Sequence, residues 1–196
     1  MLNKVIQKTV DYWTANDIIK EDDKDIYTYG LDLIFSTILN IMMVIITAGF
    51  MKQLPQTLAM LLIILPLQCC GGGYHAKTHL RCFLIMYIGW WIMMPLISYI
   101  TPLIGTFIAF VSLIIVFTLA PVPHANVPMS IRRFNQMKVI VRYIALGGMI
   151  IGISLLWFRE SSGVIGGSLI AGMGTVALSM IIAKVIYWWQ GIRGLL

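Results

Sequence analysis

Charged side chains are scarce in this sequence, and their scarcity argues against an ordinary soluble fold. Only 11% of the 196 residues are charged, while 59% are hydrophobic; an average soluble domain carries about 25% charged residues. A soluble chain of this length could not bury so much apolar surface, because even larger domains leave a sizeable share of their surface in water. The composition therefore predicts an integral membrane protein.

Cysteine is also rare, with three residues in the chain. A disulfide framework needs an even number of cysteines in a small secreted protein, so this class is excluded. The net charge of +6 falls on short segments between apolar blocks, which is not the pattern of a nucleic-acid-binding protein. It favours contact with an anionic cytoplasmic leaflet.

Six apolar blocks follow a polar start, and each is close to the ~20 residues that a helix needs to cross a bilayer. They are approximately Leu31–Phe50, Leu54–Cys70, Cys82–Tyr99, Pro102–Ala120, Tyr143–Phe158 and Val164–Trp188. The sequence predicts an all-α polytopic membrane protein in three parts. These are an N-terminal segment (1–30), a six-helix domain (31–190) that includes a basic loop (121–142), and a short tail (191–196).

The polar start itself predicts an amphipathic helix. Apolar residues recur there at helical spacing, namely Leu2, Val5, Ile6, Val10 and Trp13. Such a helix lies either on the membrane surface or against the protein's own cytoplasmic loops. The sequence alone does not choose between these two placements.

The distribution of Lys and Arg predicts the orientation in the membrane. If the N-terminus is inside, eleven of these residues lie inside and two, Lys52 and Arg159, lie outside. Lys184 sits in the last block and can reach the inner face by snorkelling. We therefore expect an even number of spans, with both termini, the loop after the second span and the basic loop in the cytoplasm.

Glycine concentrates in the last two blocks. Gly148 and Gly152 form one GxxxG pair, and Gly163 and Gly167 form another. Such pairs let helices approach closely, either within one chain or between two copies; contact within the chain is the default. The sequence has no internal repeat and few charges inside its spans, which argues against the main rival function, a small peptide or ion transporter.

One short segment, Gly71–Cys82, combines a triple glycine, two histidines and a cysteine. Irregular backbone at membrane depth is tolerated where it is buried in protein or lines a wet cavity. A thiol becomes a nucleophile when an imidazole takes its proton, and Lys77 and Arg81 would add positive potential. The N–H groups of Gly72 and Gly73 could donate to an oxyanion. This combination favours a cysteine peptidase over a non-catalytic scaffold.

Spacing leaves the choice of base open. On a straight helix His75 and Cys82 share a face but lie ~10 Å apart, beyond the ~3 Å reach of proton transfer. His75 can serve Cys82 only if the segment folds back, whereas His79 is close to Cys82 even on a helix. A metal site built from these three residues lacks the fourth ligand of usual zinc sites, unless another cysteine or His124 supplies it. We expect no metal and no cofactor.

Two motifs resemble one known family. The residues Gly72-Gly73-Tyr74-His75-Ala76, followed by Cys82, are similar to the glycine-led loop of the accessory gene regulator B family. Members are membrane endopeptidases that process the precursors of bacterial autoinducing peptides. A second stretch resembles the loop after the fourth span of that family, namely Leu119-Ala120-Pro121-Val122, then Pro128, then Arg132, Arg133 and Lys138.

The resemblance implies that Cys82 is the nucleophile and His75 the general base, with His79 a bystander or a local electrostatic aid. It implies that an acidic tail is cut from a short precursor through a thioester, and that a thiolactone or lactone ring then closes. Many members carry an arginine seven residues before the histidine, where this chain has Gln68. Whatever that arginine contributes to the loop is open here.

The resemblance further implies a homodimer in a bacterial cell membrane, with the catalytic loop in the cytoplasm. The expected partners are a precursor peptide and membrane lipids, with no nucleic acid. Support for the loop and the oxyanion is expected from Gly72, Gly73 and Gln68. Basic side chains that could contact the acidic tail or lipid headgroups are Lys77, Arg81, Arg132, Arg133 and Lys138.

Overall fold

The computed structural model describes residues 2–74, 79–122, 130–158 and 163–193, and every regular element within these ranges is helical. The helices are α1 (Leu2–Ala15), α2 (Lys24–Phe50), α3 (Leu54–Gly71), α4 (His79–Ile97), α5 (Pro102–Leu119), α6 (Ile131–Phe158) and α7 (Gly163–Arg193). A short 3₁₀ turn, Glu21–Asp23, precedes α2.

Helices α2 to α7 are long and apolar enough to cross a membrane, which confirms the six predicted spans and the all-α polytopic architecture. Two helices begin earlier than the apolar blocks predicted. α2 begins at Lys24 rather than Leu31, and α6 at Ile131 rather than Tyr143. Apolarity marks the part of a helix that lies in lipid, whereas its hydrogen bonds continue through neighbouring polar residues. Residues 131–142, predicted as part of a basic loop, are therefore helical.

Helix α1 packs against the protein itself, at the start of α2. Ile6 and Val10 are fully buried and form a small cluster with Ile19, and Leu31 of α2 packs against it. Asp11 accepts an ion pair from Lys24, with 2.9 Å between Oδ1 and Nζ. The amphipathic helix is confirmed, and its buried residues pack against the start of the protein's own first membrane span.

Four helices form the centre of the molecule. One continuous core contains buried residues from α3, α5, α6 and α7, together with Val122 just after α5. Close approach between α6 and α7 depends on two glycines, because a Cβ on Gly166 would lie 2.6 Å from the carbonyl oxygen of Gly152. The predicted tight contact at Gly148 and Gly152 is thus made within the chain.

Helices α2 and α4 lie beside this centre as a flanking pair. Val44 and Ala48 of α2 share a second core with Trp90 and Met94 of α4. Trp90 Nε1 also donates a hydrogen bond of 3.0 Å to the Thr57 hydroxyl of α3. Both flanking helices expose many large apolar side chains, as contact with lipid requires. The catalytic segment predicted from the sequence connects α3 of the centre to α4 of this pair.

Candidate active site

The triple glycine Gly71–Gly73, called the glycine run below, ends α3 in a conformation that other residues rarely adopt. Gly72 has φ 71° and ψ −170°, a region that is essentially restricted to glycine. A lack of space also requires glycine at this position, because a Cβ on Gly72 would lie 2.5 Å from the carbonyl oxygen of Val122. A Cβ on Gly73 would lie 2.7 Å from the hydroxyl of Ser179 on α7. Two glycines therefore let the backbone lie directly against the central helices.

Three hydrogen bonds hold this run in place. The N–H of Gly72 donates to the Gln68 carbonyl at 3.0 Å and closes the last turn of α3, while the N–H of Val122 donates to the Gly71 carbonyl at 2.9 Å. The N–H of Tyr74 donates to the Ser179 hydroxyl at 3.0 Å. Each bond ties the run to α3, to the end of α5 or to α7, so Gly71–Tyr74 has a defined path.

These bonds bear on the expected oxyanion donors. The N–H of Gly72 is engaged in the helix cap, and that of Tyr74 is engaged by Ser179. Within the described ranges, no residue accepts a hydrogen bond from the N–H of Gly73. The Gln68 side chain lies close to this glycine, with its Nε2 3.6 Å from the position of an added Cβ. Of the two predicted glycine donors, Gly73 is the one with a free N–H among these contacts.

Cys82 lies in the first turn of α4, half-buried and as a free thiol. The side-chain amide of Asn40, in the middle of α2, donates to the Cys82 sulfur with 3.8 Å between Nδ2 and Sγ. Asn40 is 5% exposed. The other two cysteines are also free; Cys69 is exposed on α3, and Cys70 packs against the central core.

Part of the predicted site lies outside the described residues, namely His75, Lys77 and the side chain of His79. The described chain ends at Tyr74, fixed on α7, and resumes at the first turn of α4. Whether residues 75–78 fold back so that His75 reaches Cys82 stays a prediction. His124, considered as a fourth metal ligand, also lies outside the described ranges.

The basic residues of α4 and α6 occupy different environments. Arg81 is exposed in the first turn of α4, and Arg132 and Arg133 are exposed in the first turn of α6. Arg142 instead donates a 2.9 Å hydrogen bond to the carbonyl of Phe117, near the end of α5. Its guanidinium also lies 5.0 Å from the Phe117 ring. Arg142 therefore joins α6 to α5. This structural contact explains the position of its side chain without any contact to a substrate.

A groove of about 680 Å³ lies beside the glycine run, between α5, α6 and α7. Val122 joins the two features, since its backbone contacts Gly71 and Gly72 while it also lines the groove. Most of the groove is apolar, but Lys138 of α6 and Lys184 of α7 both line it. Lys138 therefore lines the same groove as a second cation, Lys184, which lies 46 positions further along the chain.

Sequence reasoning missed Asn40 and Ser179 as members of this site. Asn40 is the sole amide inside the first apolar block, so a search for isolated polar residues within spans would have found it. Ser179 has no comparable signal, because Ser and Thr occur throughout the apolar blocks and often bond to their own helix. Only the packing of α7 against the glycine run identifies it.

Nearly the whole length of the chain is similar to one protein family. The family model for accessory gene regulator B matches residues 4–192, which is nearly the whole chain. The chain belongs to the accessory gene regulator B family. It is accordingly a multi-pass membrane protein that takes part in processing autoinducing peptides, and a precursor of such a peptide is its substrate. No curated protein and no solved structure matches the chain.

Proposed function

We propose that this accessory gene regulator B protein is a membrane-embedded cysteine endopeptidase. It removes the C-terminal tail of an autoinducing-peptide precursor and promotes closure of the remaining peptide into a ring. The setting of Cys82 carries the proposal. This free thiol lies in the first turn of a membrane helix, next to a buried amide and just after the segment that contains His75.

The first half of the reaction forms a thioester. The His75 imidazole accepts the proton of the Cys82 thiol, and the sulfur attacks the scissile carbonyl carbon. The tetrahedral intermediate collapses with cleavage of the C–N bond, and the departing tail nitrogen takes the proton back from His75. The products are a free tail, which begins with a new amino group, and a precursor joined to Cys82 through its carbonyl.

The second half closes the ring. A cysteine thiol or serine hydroxyl within the bound peptide gives its proton to His75 and attacks the thioester carbonyl. The C–S bond to Cys82 breaks, and the Cys82 sulfur regains a proton from His75. Water would hydrolyse the same thioester, so cyclisation requires that water be kept out. A position between membrane helices suits that requirement.

The tail of the precursor is proposed to bind in the groove beside the glycine run. Lys138 and Lys184 supply two cations there, and an acidic tail has complementary charge. Arg132 and Arg133 are exposed at the start of the same helix as Lys138 and would extend the positive potential. Lys77 and Arg81, which lie near Cys82 in the sequence, remain candidates for the same role.

The orientation and assembly proposed are those expected from the sequence. The excess of Lys and Arg on one side supports cytoplasmic termini and a cytoplasmic catalytic loop. A cytoplasmic site is where a newly made precursor is available. Membership of the family supports a homodimer.

Mass spectrometry of processed precursor tests the proposal. The co-expressed precursor is a short peptide with an amphipathic start, a central Cys or Ser and an acidic end, as the family implies. Cys82→Ala and His75→Ala should each abolish tail release, because they remove the nucleophile and the base. Cys69→Ala, Cys70→Ala and His79→Ala are matched controls and should retain most of it. Full release by Cys82→Ala would refute the proposed chemistry.

A further inference from the structure

An isolated amide lies inside the apolar part of α2. Asn40 is nine residues into the block that begins at Leu31, and its side chain is 5% exposed. Burial of an amide without a partner costs about 1–3 kcal/mol, and the penalty is no smaller in a membrane. Its Nδ2 is directed at the Cys82 sulfur on α4, at 3.8 Å. The partner of this costly group is thus the sulfur that the proposed function requires.

We propose that Asn40 is a further catalytic residue, whose amide donates first to the Cys82 sulfur and then to the oxyanion that forms beside it. The inference rests on the proposed function of Cys82. An N–H donor binds a charged acceptor about twice as strongly as a neutral one, so the amide stabilises the thiolate more than the thiol. It therefore assists the proton transfer to His75 that begins the reaction.

The same amide is placed to act in the next step. The carbonyl carbon becomes bonded to the Cys82 sulfur, so its oxygen develops negative charge close to any donor already at that sulfur. Of the backbone donors in the glycine run, the N–H groups of Gly72 and Tyr74 are engaged. A side-chain amide at the sulfur can supply a further donor, and removal of one such donor reduces turnover roughly 10²–10³-fold in enzymes that use one.

A structural role makes a different prediction. A bond between α2 and α4 would also join two helices, as interhelical polar contacts do in membranes. Thr57 provides the comparison, since its buried hydroxyl accepts a hydrogen bond from Trp90 of α4 and lies away from Cys82. If Asn40 only joins helices, loss of either bond should affect the folded protein in the same way and leave the thiol chemistry alone.

The first test measures the thiol directly. The purified full chain carries Cys69→Ala and Cys70→Ala, and iodoacetamide is the probe of the remaining cysteine. Asn40→Leu keeps the size of the side chain without the amide and should slow alkylation of Cys82 roughly tenfold or more at pH 7, since a hydrogen bond to a charged group is lost. Thr57→Val should leave the rate within about twofold. Asn40→Gln retains an amide and should recover part of the rate.

The second test measures turnover of the co-expressed or added precursor. Asn40→Leu should reduce kcat roughly 10- to 1000-fold with little change in KM, because the donor acts on the transition state. Unchanged alkylation and unchanged kcat in Asn40→Leu would overturn the inference. Equal losses of activity and thermal stability in Asn40→Leu and Thr57→Val, with normal alkylation in both, would overturn it in favour of helix joining.

The two proposals fail in different ways. Alkylation needs no peptidase activity, so it reports on the reactivity of the Cys82 thiol without requiring turnover of the precursor. If Cys82→Ala is inactive while Asn40→Leu changes neither the alkylation rate nor kcat, only the inference about Asn40 is wrong. If Cys82→Ala still releases the tail, the proposed function is wrong, whatever the alkylation rates.

Discussion

At the level of single residues, backbone conformation and a lack of space for a side chain both require glycine at position 72. Gly72 has a backbone angle that side chains disfavour, and its α-carbon faces the carbonyl oxygen of Val122. Gly147 differs in both respects, because it lies within regular α6 and an added Cβ there meets no atom within 4 Å. The two glycines form a matched pair for testing the loop.

Gly72→Ala should lower the free energy of unfolding by about 1–3 kcal/mol through backbone strain alone, with a further loss from the contact with Val122. Gly147→Ala should be neutral or slightly stabilising, since alanine favours a helix. Thermal denaturation of the purified proteins in detergent compares the two. Equal Tm values for the two variants would contradict the described path of the glycine run.

The residues that sequence could identify were those with a local signal. The triple glycine and Cys82 stand out in the printed sequence, and the structure gives the glycines a fixed path against α7. Asn40 pairs with Cys82 across 42 positions of chain, and such a pairing depends on how α2 packs against α4. Periodicity along either helix contains no information about that contact.

At the level of helices, the groove between α5, α6 and α7 brings together charges that the sequence separates. The predicted basic loop is helical from Ile131 onwards. Lys138 of this helix lines the same groove as Lys184, whereas Arg142 is bonded to Phe117. Apolar blocks predicted the existence of all six spans. They could not predict the start of α6, because polar residues continue a helix as readily as apolar ones once hydrogen bonding is established.

The paired lysines should act on the acidic tail of the precursor. Lys138→Gln combined with Lys184→Gln should raise KM roughly three- to tenfold at low salt, because two partly exposed ion pairs contribute up to about 1 kcal/mol each. The difference from the parent protein should shrink at high salt, which screens such pairs. Lys20→Gln removes an exposed charge that does not line the groove and is the control.

Kinetics with two precursors measure this effect. One has its natural acidic tail, and the other has the acids replaced by their amides. The double variant should lose discrimination between them. If the parent protein already has the same KM for both tails, the groove does not bind the tail through charge.

At the level of the whole molecule, the proposed site joins two structural parts. The glycine run is held by the central helices, whereas Cys82 and Asn40 belong to the flanking pair α2 and α4. Residues 75–78 connect them, and His75 is among these. If the proposed roles of His75 and Cys82 are correct, relative displacement of the two parts would alter the distance between base and nucleophile.

The central claim, a thioester between Cys82 and the precursor, is tested most directly by intact mass of the protein. A precursor whose ring-forming Cys or Ser is replaced by Ala cannot cyclise, so the acyl-enzyme should accumulate. We expect an added mass equal to the precursor without its tail, removable by hydroxylamine and absent in Cys82→Ala. Release of the tail with no adduct on Cys82, or the same adduct in Cys82→Ala, would contradict the claim.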